Sequence, residues 1–283
     1  MRIFNQPVDF IDCDAIAAGF RSILRGWDIA EIPYDPDTSA YLSFEKRDHG
    51  YHWDAPWIAD KNRRAEDPSI SVMDAVCDFH YEFIDWFVDQ NPNHFCLHTA
   101  GVEFDGKAVI FPCVQKAGKS TLSLHLSMMG HRLLGDDVIA MSKSGEKAIS
   151  LGLLPRMRLP LPEMVIGKEF TDFIGARQGL SDRHWQYVEM NTDEMAPCWT
   201  EFPVSGIVLL ERGADGPPTI SELSKSDALK ALIDRNFGQL RKPDLVFDAL
   251  RDLSQRCQTR LLRFSRPYEA ARLLEKEFGG GKS

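Results

Sequence analysis

The sequence predicts a mixed α/β fold in which a larger domain follows a smaller N-terminal α+β lobe. Strand-like and helix-like patterns alternate from about residue 94 to the end, as they do in α/β and α+β domains. One strand-like segment passes through a short loop into a helix that opens with Gly118-Lys119-Ser120. The 283 residues are 43% hydrophobic and 27% charged, which is enough apolar material for a sizeable core. We therefore expect residues 1–92 to form the lobe and residues 93–283 to form the larger domain.

Composition excludes several functional classes. The formal net charge of -9 argues against a general binder of nucleic acid or of anionic membranes, because such proteins neutralise phosphates with basic side chains. No apolar run approaches the roughly 18 residues that a membrane span requires, and the first residues lack the apolar stretch of a signal peptide. The six cysteines are dispersed without a Cys-x-x-Cys pair, which is typical of reduced thiols. We expect a cytoplasmic protein without a nucleic-acid or membrane partner.

The N-terminal ninety residues contain one clearly predicted helix. Ser71 and Asp74 have the spacing of a capping box, and apolar residues then recur at helical spacing as far as Phe87. Pro92 ends the pattern because proline cannot continue a helix. The acidic residues between these apolar positions are interpreted as a solvent-facing surface of an amphipathic helix.

The later elements are predicted from the same signals. Residues 96–102 and 107–113 read as two strands of a hairpin around Asp105-Gly106. A helix follows over residues 120–129 and stops at Gly130. Residues 131–141 read as a strand interrupted by two aspartates. Further strands are expected at 204–210 and 260–264, and further helices after Ser224, over 244–256 and over 268–278.

The segment from Cys113 to Thr121 is the first candidate site. Its strand–loop–helix pattern with Gly-Lys-Ser is typical of a phosphate-binding P-loop, in which unpaired N–H groups at a helix N-terminus bind phosphate oxygens. Lys119 would reach the outer phosphates, Ser120 would ligate Mg²⁺, and Gly118 would let the backbone approach closely. The predicted nucleotide-binding residues are Lys116, Ala117, Gly118, Lys119, Ser120 and Thr121.

The motif leaves an alternative open. The full pattern G-x-x-x-x-G-K-[ST] would begin with glycine, but Cys113 stands there. The tripeptide alone also occurs by chance roughly once in seven chains of this length at average composition. It recurs here at residues 281–283, which lie outside the residues that the structure describes. The alternative is an ordinary strand-to-helix turn.

Two aspartates and a histidine form the second candidate site. Asp136 and Asp137 follow a short apolar strand one helix after the loop, and phosphoryl transfer needs carboxylates to hold Mg²⁺ and to accept a proton. Neighbouring residues of a strand point to opposite faces, so the two aspartates would have different roles. His98 begins another strand-like segment. The alternatives are a solvent-facing turn for the aspartates and a structural role for His98.

A third, weaker candidate is the pair Arg156 and Arg158 between two prolines. Guanidinium groups suit bidentate contacts with phosphate, although two surface arginines in a proline-rich loop would look the same. The polar stretch around Trp185 is either a mobile loop over the site or a long excursion of the chain, and the sequence does not decide between them.

Together these segments resemble the catalytic domain of HPr kinase/phosphorylase. The resemblance rests on Leu97-His98, on Gly118-Lys119-Ser120 and on residues 130–137, which read Gly-His-Arg-Leu-Leu-Gly-Asp-Asp. It covers about the last two thirds of the chain. The N-terminal part is similar to that of the broader group of HPr-kinase-related serine kinases.

The resemblance implies a P-loop kinase fold related to phosphoenolpyruvate carboxykinase, with ATP and Mg²⁺ as cofactors. It implies transfer of the ATP γ-phosphoryl group to a serine of a small acceptor protein or peptide, and a possible homo-oligomer. Asp136 matches the catalytic aspartate that takes the serine proton, Asp137 matches its neighbour and a metal ligand, and His98 matches a histidine beside them. Lys119 and Ser120 match the loop lysine and the Mg²⁺ ligand. Which aspartate is base and which is metal ligand stays open.

The chain also departs from that family. Cys113 and Lys116 replace two loop glycines, Thr121 replaces an acid, and the Glu-x-Arg-Gly segment of the true HPr kinases is not found. We therefore expect a serine kinase without phosphorylase activity, whose acceptor is not HPr. The alternatives are a small-molecule kinase, a nucleotide-binding regulatory protein without transfer activity, and a scaffold with a vestigial site.

Overall fold

The computed structural model describes residues 1–3, 6–33, 35, 40–54, 71–114, 116–161, 167–213, 216–237 and 243–280. It contains sixteen strands in these ranges, in three sheets that mix with helices, so the predicted mixed α/β class is confirmed. The strands are β1 (Arg2–Ile3), β2 (Gln6–Ile11), β3 (Leu42–Arg47), β4 (Gly50–Asp54), β5 (His94–Leu97), β6 (Ala100–Phe104), β7 (Lys107–Phe111), β8 (Leu133–Gly135), β9 (Ile139–Ser142), β10 (Lys147–Ile149), β11 (Arg156–Arg158), β12 (Gln178–Ser181), β13 (Trp185–Val188), β14 (Glu201–Arg212), β15 (Thr219–Glu222) and β16 (Gln258–Phe264).

The helices follow the same amphipathic patterns that predicted them. The described helices are α1 (Asp14–Ile23), α2 (Val72–Gln90), α3 (Lys119–Met128), α4 (Lys168–Gly175), α5 (Lys225–Asp234), α6 (Pro243–Arg256) and α7 (Pro267–Phe278). The predicted bounds of α3, α6 and α7 are confirmed within one residue at each end, and the predicted starts of α2 after Ser71 and of α5 after Ser224 are also confirmed. Within the described residues, none of these helices has both the length and the apolar character that a membrane crossing requires.

The N-terminal part consists of a four-stranded sheet, in the order β1-β2-β3-β4, with α1 and α2 against it. Aromatic rings hold these layers together. Phe20 of α1 lies 3.9 Å from Phe79 of α2 and 5.0 Å from Phe44 of β3 between ring centroids. Such buried aromatic contacts contribute more than their area alone, so α2 is anchored to the first sheet.

The large sheet places the candidate loop at its centre. Its path is β5-β9-β10-β14-β7-β6-β8, with β16 beside β14 and β15 beside β16. The long strand β14 is parallel to both β7 and β16. The ends of β7 and β14 therefore reach the same edge of the sheet, where α3 begins.

One strand prediction is wrong. The hairpin of β6 and β7 around Asp105-Gly106 is present, but residues 96–102 do not form a single strand. The chain breaks at His98, whose backbone N–H donates to the carbonyl of Arg235 at 2.7 Å. The break is needed because β5 pairs with β9, whereas β6 pairs with β7 and β8.

The stretch around Trp185 is regular structure. Helix α4 and the three-stranded sheet β11-β13-β12 occupy most of residues 168–188. This small sheet carries the segment of Arg156 and Arg158, which the sequence placed in a loop.

Both parts of the chain share hydrophobic core. One continuous cluster includes Phe20 and Phe79 from the N-terminal part together with Val102 and Leu122 from the larger part. A second cluster lies wholly in the larger part, between the large sheet and helices α5 and α6. The domain boundary at residue 92 stays a prediction.

Candidate functional site

The loop between β7 and α3 contains two residues with positive φ. Gly118 precedes the helix with φ 97°, and Lys116 has φ 64°. Positive φ suits glycine, while a side chain at this φ costs about 1–2 kcal/mol. The backbone at Lys116 is therefore strained.

Lys119 is the residue around which the loop closes. Its side chain is buried, with only 6% of the residue exposed, and its Nζ donates to the carbonyls of Cys113 at 3.1 Å and Val114 at 3.4 Å. Within the described residues the Lys119 ammonium forms no ion pair, although its charge acts on the nearby carboxyl of Asp136. The loop thus presents a cation and a helix N-terminus at one place.

Cys113, at the start of the loop, forms hydrogen bonds with β14. Its Sγ accepts a 3.0 Å hydrogen bond from the N–H of Leu210, and the thiol donates to the carbonyl of Val208 at 3.7 Å. Burial raises the pKa of the thiol to about 11, so it stays protonated at neutral pH. The thiol fastens the start of the loop to the central strand β14.

Asp136 lies behind the loop, directly after β8. Only 3% of it is exposed, and its Oδ2 accepts a 3.4 Å hydrogen bond from the backbone N–H of Arg156. Its Oδ1 is buried and accepts no hydrogen bond within the described part of the chain. Burial and the charge of Asp137 raise its pKa, while the Ser120 hydroxyl and the Lys119 ammonium oppose the shift.

Asp137 points the other way, into an open cleft. Its Oδ1 lies 3.7 Å from Nε2 of His98, and its Oδ2 lies 3.6 Å from Nη2 of Arg156. Burial opposes its charge, but the nearby imidazoles of His98 and His80 and the charge of Arg156 outweigh burial and lower the pKa of this carboxyl. The pKa values of the two neighbouring aspartates therefore shift in opposite directions.

The arginine pair is positioned by strand register. Arg158 pairs with Trp185 and Arg156 with Tyr187 across β11 and β13, so both guanidinium groups share one face with the indole. They lie 4.5 Å (Arg156) and 4.8 Å (Arg158) from the ring centre of Trp185. Arg156 also donates to Sγ of Cys77 on α2 at 2.6 Å, and its side chain is 13% exposed. Arg156 is therefore largely buried, which contradicts the alternative that it is a surface arginine in a proline-rich loop.

Three further residues at the site were not predicted. Arg212 ends β14, and its guanidinium lies so close to Gly118 that a Cβ there would be 3.1 Å from Nη2. His80 of α2 lines a small cavity with Asp137, and Cys77 holds Arg156. The position of Arg212 at the end of a strand parallel to β7 was a usable signal, but nothing local in α2 indicates contact with this site.

The loop before α3, Asp137, the two arginines of β11 and Arg212 line one cleft of about 620 Å³. Its volume lies within the range of small-molecule and cofactor sites. Five cationic side chains and one carboxylate line it, although the chain as a whole carries a net charge of -9. Of the predicted site residues, Ala117 and Asp136 are buried beside the cleft, and the others line it: His98, Lys116, Gly118, Lys119, Ser120, Thr121, Asp137, Arg156 and Arg158.

The oxygen donors at the loop fit Mg²⁺. Mg²⁺ prefers oxygen ligands and is held by one or two carboxylates together with substrate phosphates. Asp136 offers a buried carboxylate oxygen without a partner among the described residues, close to the hydroxyl of Ser120. Across those residues, no group of three or more His, Cys, Asp or Glu side chains could hold a metal ion by itself.

Comparison with known proteins does not assign this chain to a family. No family model matches the chain, and no curated protein matches it. Among solved structures it is similar to "Structure of the Hpr(Ser) kinase/phosphatase from Coxiella burnetii", at 14% sequence identity and a TM-score of 0.31. The match covers 64% of this chain and 95% of that chain. A TM-score of 0.31 is too low to support an inference about function, so we infer the function from the site.

Proposed function

We propose that this protein is an ATP- and Mg²⁺-dependent kinase that phosphorylates a serine hydroxyl of a small protein or peptide. The observation that carries the proposal is the buried ammonium of Lys119 inside a loop that opens helix α3. The cationic cleft around this loop supports it, because a triphosphate is the kind of anion that such a loop accepts.

The loop residues would bind and orient the nucleotide. Lys119 exchanges the carbonyls of Cys113 and Val114 for phosphate oxygens, and the N–H groups at the start of α3 bind the same oxygens. Arg212 beside Gly118 adds a second positive charge at the loop. Catalysis in such a site is mainly positioning and charge stabilisation.

Ser120 and Asp136 would hold Mg²⁺, and the ion would supply positive charge to the phosphate groups. The support is the buried, unpartnered oxygen of Asp136 beside the Ser120 hydroxyl. Ionisation of Asp136 is disfavoured by burial, so a bound cation would stabilise the carboxylate that the fold otherwise opposes.

Asp137 would position the acceptor hydroxyl and take its proton, with His98 beside it. Asp137 lines the cleft and has 32% of its side chain exposed, whereas Asp136 is buried with 3% exposed. This division of roles is the reverse of the one that the resemblance to HPr kinase implies.

Thermal stability with and without Mg·ATP tests the nucleotide site. A ligand that binds only the folded state stabilises it by about 2.7 kcal/mol at a hundred times its Kd. We expect Mg·ATP to raise the Tm of the wild type, and we expect Lys119→Ala to abolish the rise. Lys143→Ala, which removes an exposed lysine outside the cleft, should keep it. A wild type that shows no rise at millimolar Mg·ATP would contradict the proposal and favour a vestigial scaffold.

A matched pair of variants distinguishes the roles of the two aspartates. We expect Asp136→Asn to lose the Mg²⁺-dependent part of the Tm rise. We expect Asp137→Asn to keep it and to lower phosphoryl transfer about 10²–10⁴-fold, the usual contribution of a general base. The reverse pattern of effects would indicate that Asp136 is the general base. Nucleotide binding without transfer by the wild type to any acceptor would favour the regulatory protein instead.

A further inference from the structure

A pair of guanidinium groups on one indole is the feature that nucleotide binding leaves unexplained. Arg156 and Arg158 are two residues apart on β11, and both lie over Trp185 within 5 Å of its centre. A guanidinium stacked on an aromatic face keeps its N–H donors free at its edge, in a fixed plane. The small sheet thus presents donors for a planar or tetrahedral oxyanion.

The two arginines differ in what already binds them. Arg156 is held by Asp137 and by Cys77, and little of it is exposed. Arg158 is exposed, and its guanidinium forms no ion pair or hydrogen bond with any residue in the described ranges. Arg158 lines the cleft nonetheless, so its donors are available to a ligand there.

The loop side of the cleft supplies enough positive charge for a nucleotide without Arg158. Lys116, Lys119 and Arg212 all lie on or against the loop, and the N-terminus of α3 adds its partial charge. Arg158 belongs to a different element, the small sheet that also carries Arg156 and Trp185. Once Mg²⁺ has neutralised much of the triphosphate charge, the cleft keeps an excess of cations.

We propose that Arg158 and Trp185 form an anion subsite for the acceptor. The acceptor would carry a carboxylate or phosphate group close to the hydroxyl that Asp137 orients, and Arg158 would bind that group through charge-assisted hydrogen bonds. This inference rests on the proposed function and adds the chemical class of its acceptor. The anionic group can belong to an acidic peptide or to a small hydroxyl compound.

Calorimetric titration of matched acceptor pairs tests the subsite. One pair is a serine peptide flanked by aspartates and the same peptide with asparagines. The other pair is glycerol 3-phosphate and glycerol. Each is titrated into the full chain with Mg²⁺ and a non-hydrolysable ATP analogue, and again without nucleotide. We expect the wild type to prefer the anionic member of one pair by about ten- to hundredfold, and the preferred pair identifies the source.

Arg158→Gln should remove this preference and leave the affinity for the nucleotide analogue within about twofold. Arg183→Gln, an exposed arginine of the turn between β12 and β13 outside the cleft, should keep it. Equal affinities within both pairs for the wild type would overturn the subsite. The subsite would also be overturned if Arg158→Gln lost affinity for the nucleotide analogue but kept the preference for the anionic acceptor. If the analogue fails to bind the wild type, the proposed kinase fails, whereas an Arg158-dependent preference without nucleotide would still support the subsite.

Discussion

At the scale of single residues, His125 shows how burial alone sets a charge state. It lies on α3 with 2% of the residue exposed, and its ring stacks on Phe170 at 4.2 Å between centroids. Neither ring nitrogen has a hydrogen-bond partner within the described ranges. Burial lowers its pKa to about 4, so the folded protein holds it neutral.

The pH dependence of stability follows from that shift. Unfolding exposes His125, whose pKa returns to about 6.5, so the unfolded state binds the extra proton between pH 6.5 and 4. Stability therefore falls as the pH falls through this window, by up to about 1.4 kcal/mol per pH unit for this one group. His125→Phe should flatten the decline when unfolding free energy is measured in urea at several pH values. His80, with its pKa also lowered to about 4, leaves a residual slope. An unchanged slope in His125→Phe would contradict the assignment.

The loop before α3 and the two aspartates could be proposed as candidate site residues from sequence because their patterns are local. The P-loop pattern is a run of neighbouring residues, and Gly118, Lys119 and Ser120 follow one another in this chain. The opposite shifts of Asp136 and Asp137 could not be predicted. They depend on His98, Ser120 and Arg156, which only the folded chain brings beside them.

At the scale of elements, the start of α2 is secured by a capping box. The Ser71 hydroxyl accepts from the N–H of Asp74 at 3.1 Å, and the Asp74 carboxylate accepts from the N–H of Ser71 at 3.1 Å. These bonds satisfy donors that a helix N-terminus leaves unpaired.

Removal of the cap should cost about 1 kcal/mol of unfolding free energy, as alanine at a helix N-cap usually does. Ser71→Ala tests this by chemical denaturation. Ser221→Ala, at an exposed position of β15, serves as the control and should change stability by less than about 0.5 kcal/mol. Equal effects of the two variants would mean that the box contributes no stability.

The one wrong element shows the limit of local patterns. Residues 96–102 have the apolar character of one continuous strand, and nothing within them signals the break at His98. The break arises from pairing, because β5 joins β9 and β6 joins β8. Strand pairing between distant segments is a property of the sheet and not of the strand.

At the scale of the whole molecule, the fold class was predictable and the assembly of the cleft was not. Alternating strand and helix patterns are enough to indicate a mixed α/β chain. The cleft joins the loop before α3, the small sheet and the end of β14, which are far apart in sequence, and α2 contacts one of its arginines through Cys77. Arg212, Cys77 and His80 could enter the site only through this tertiary arrangement.

Helix α2 contacts two regions at once. Phe79 packs against the first sheet through Phe44, while Cys77 and His80 on the same helix lie against Arg156 and Asp137. A partner that binds the first sheet and shifts α2 would change the electrostatic environment of Asp137 without entering the cleft. Thermodynamic linkage then runs in both directions, since a ligand in the cleft that prefers one position of α2 would change the affinity of that partner by the same factor.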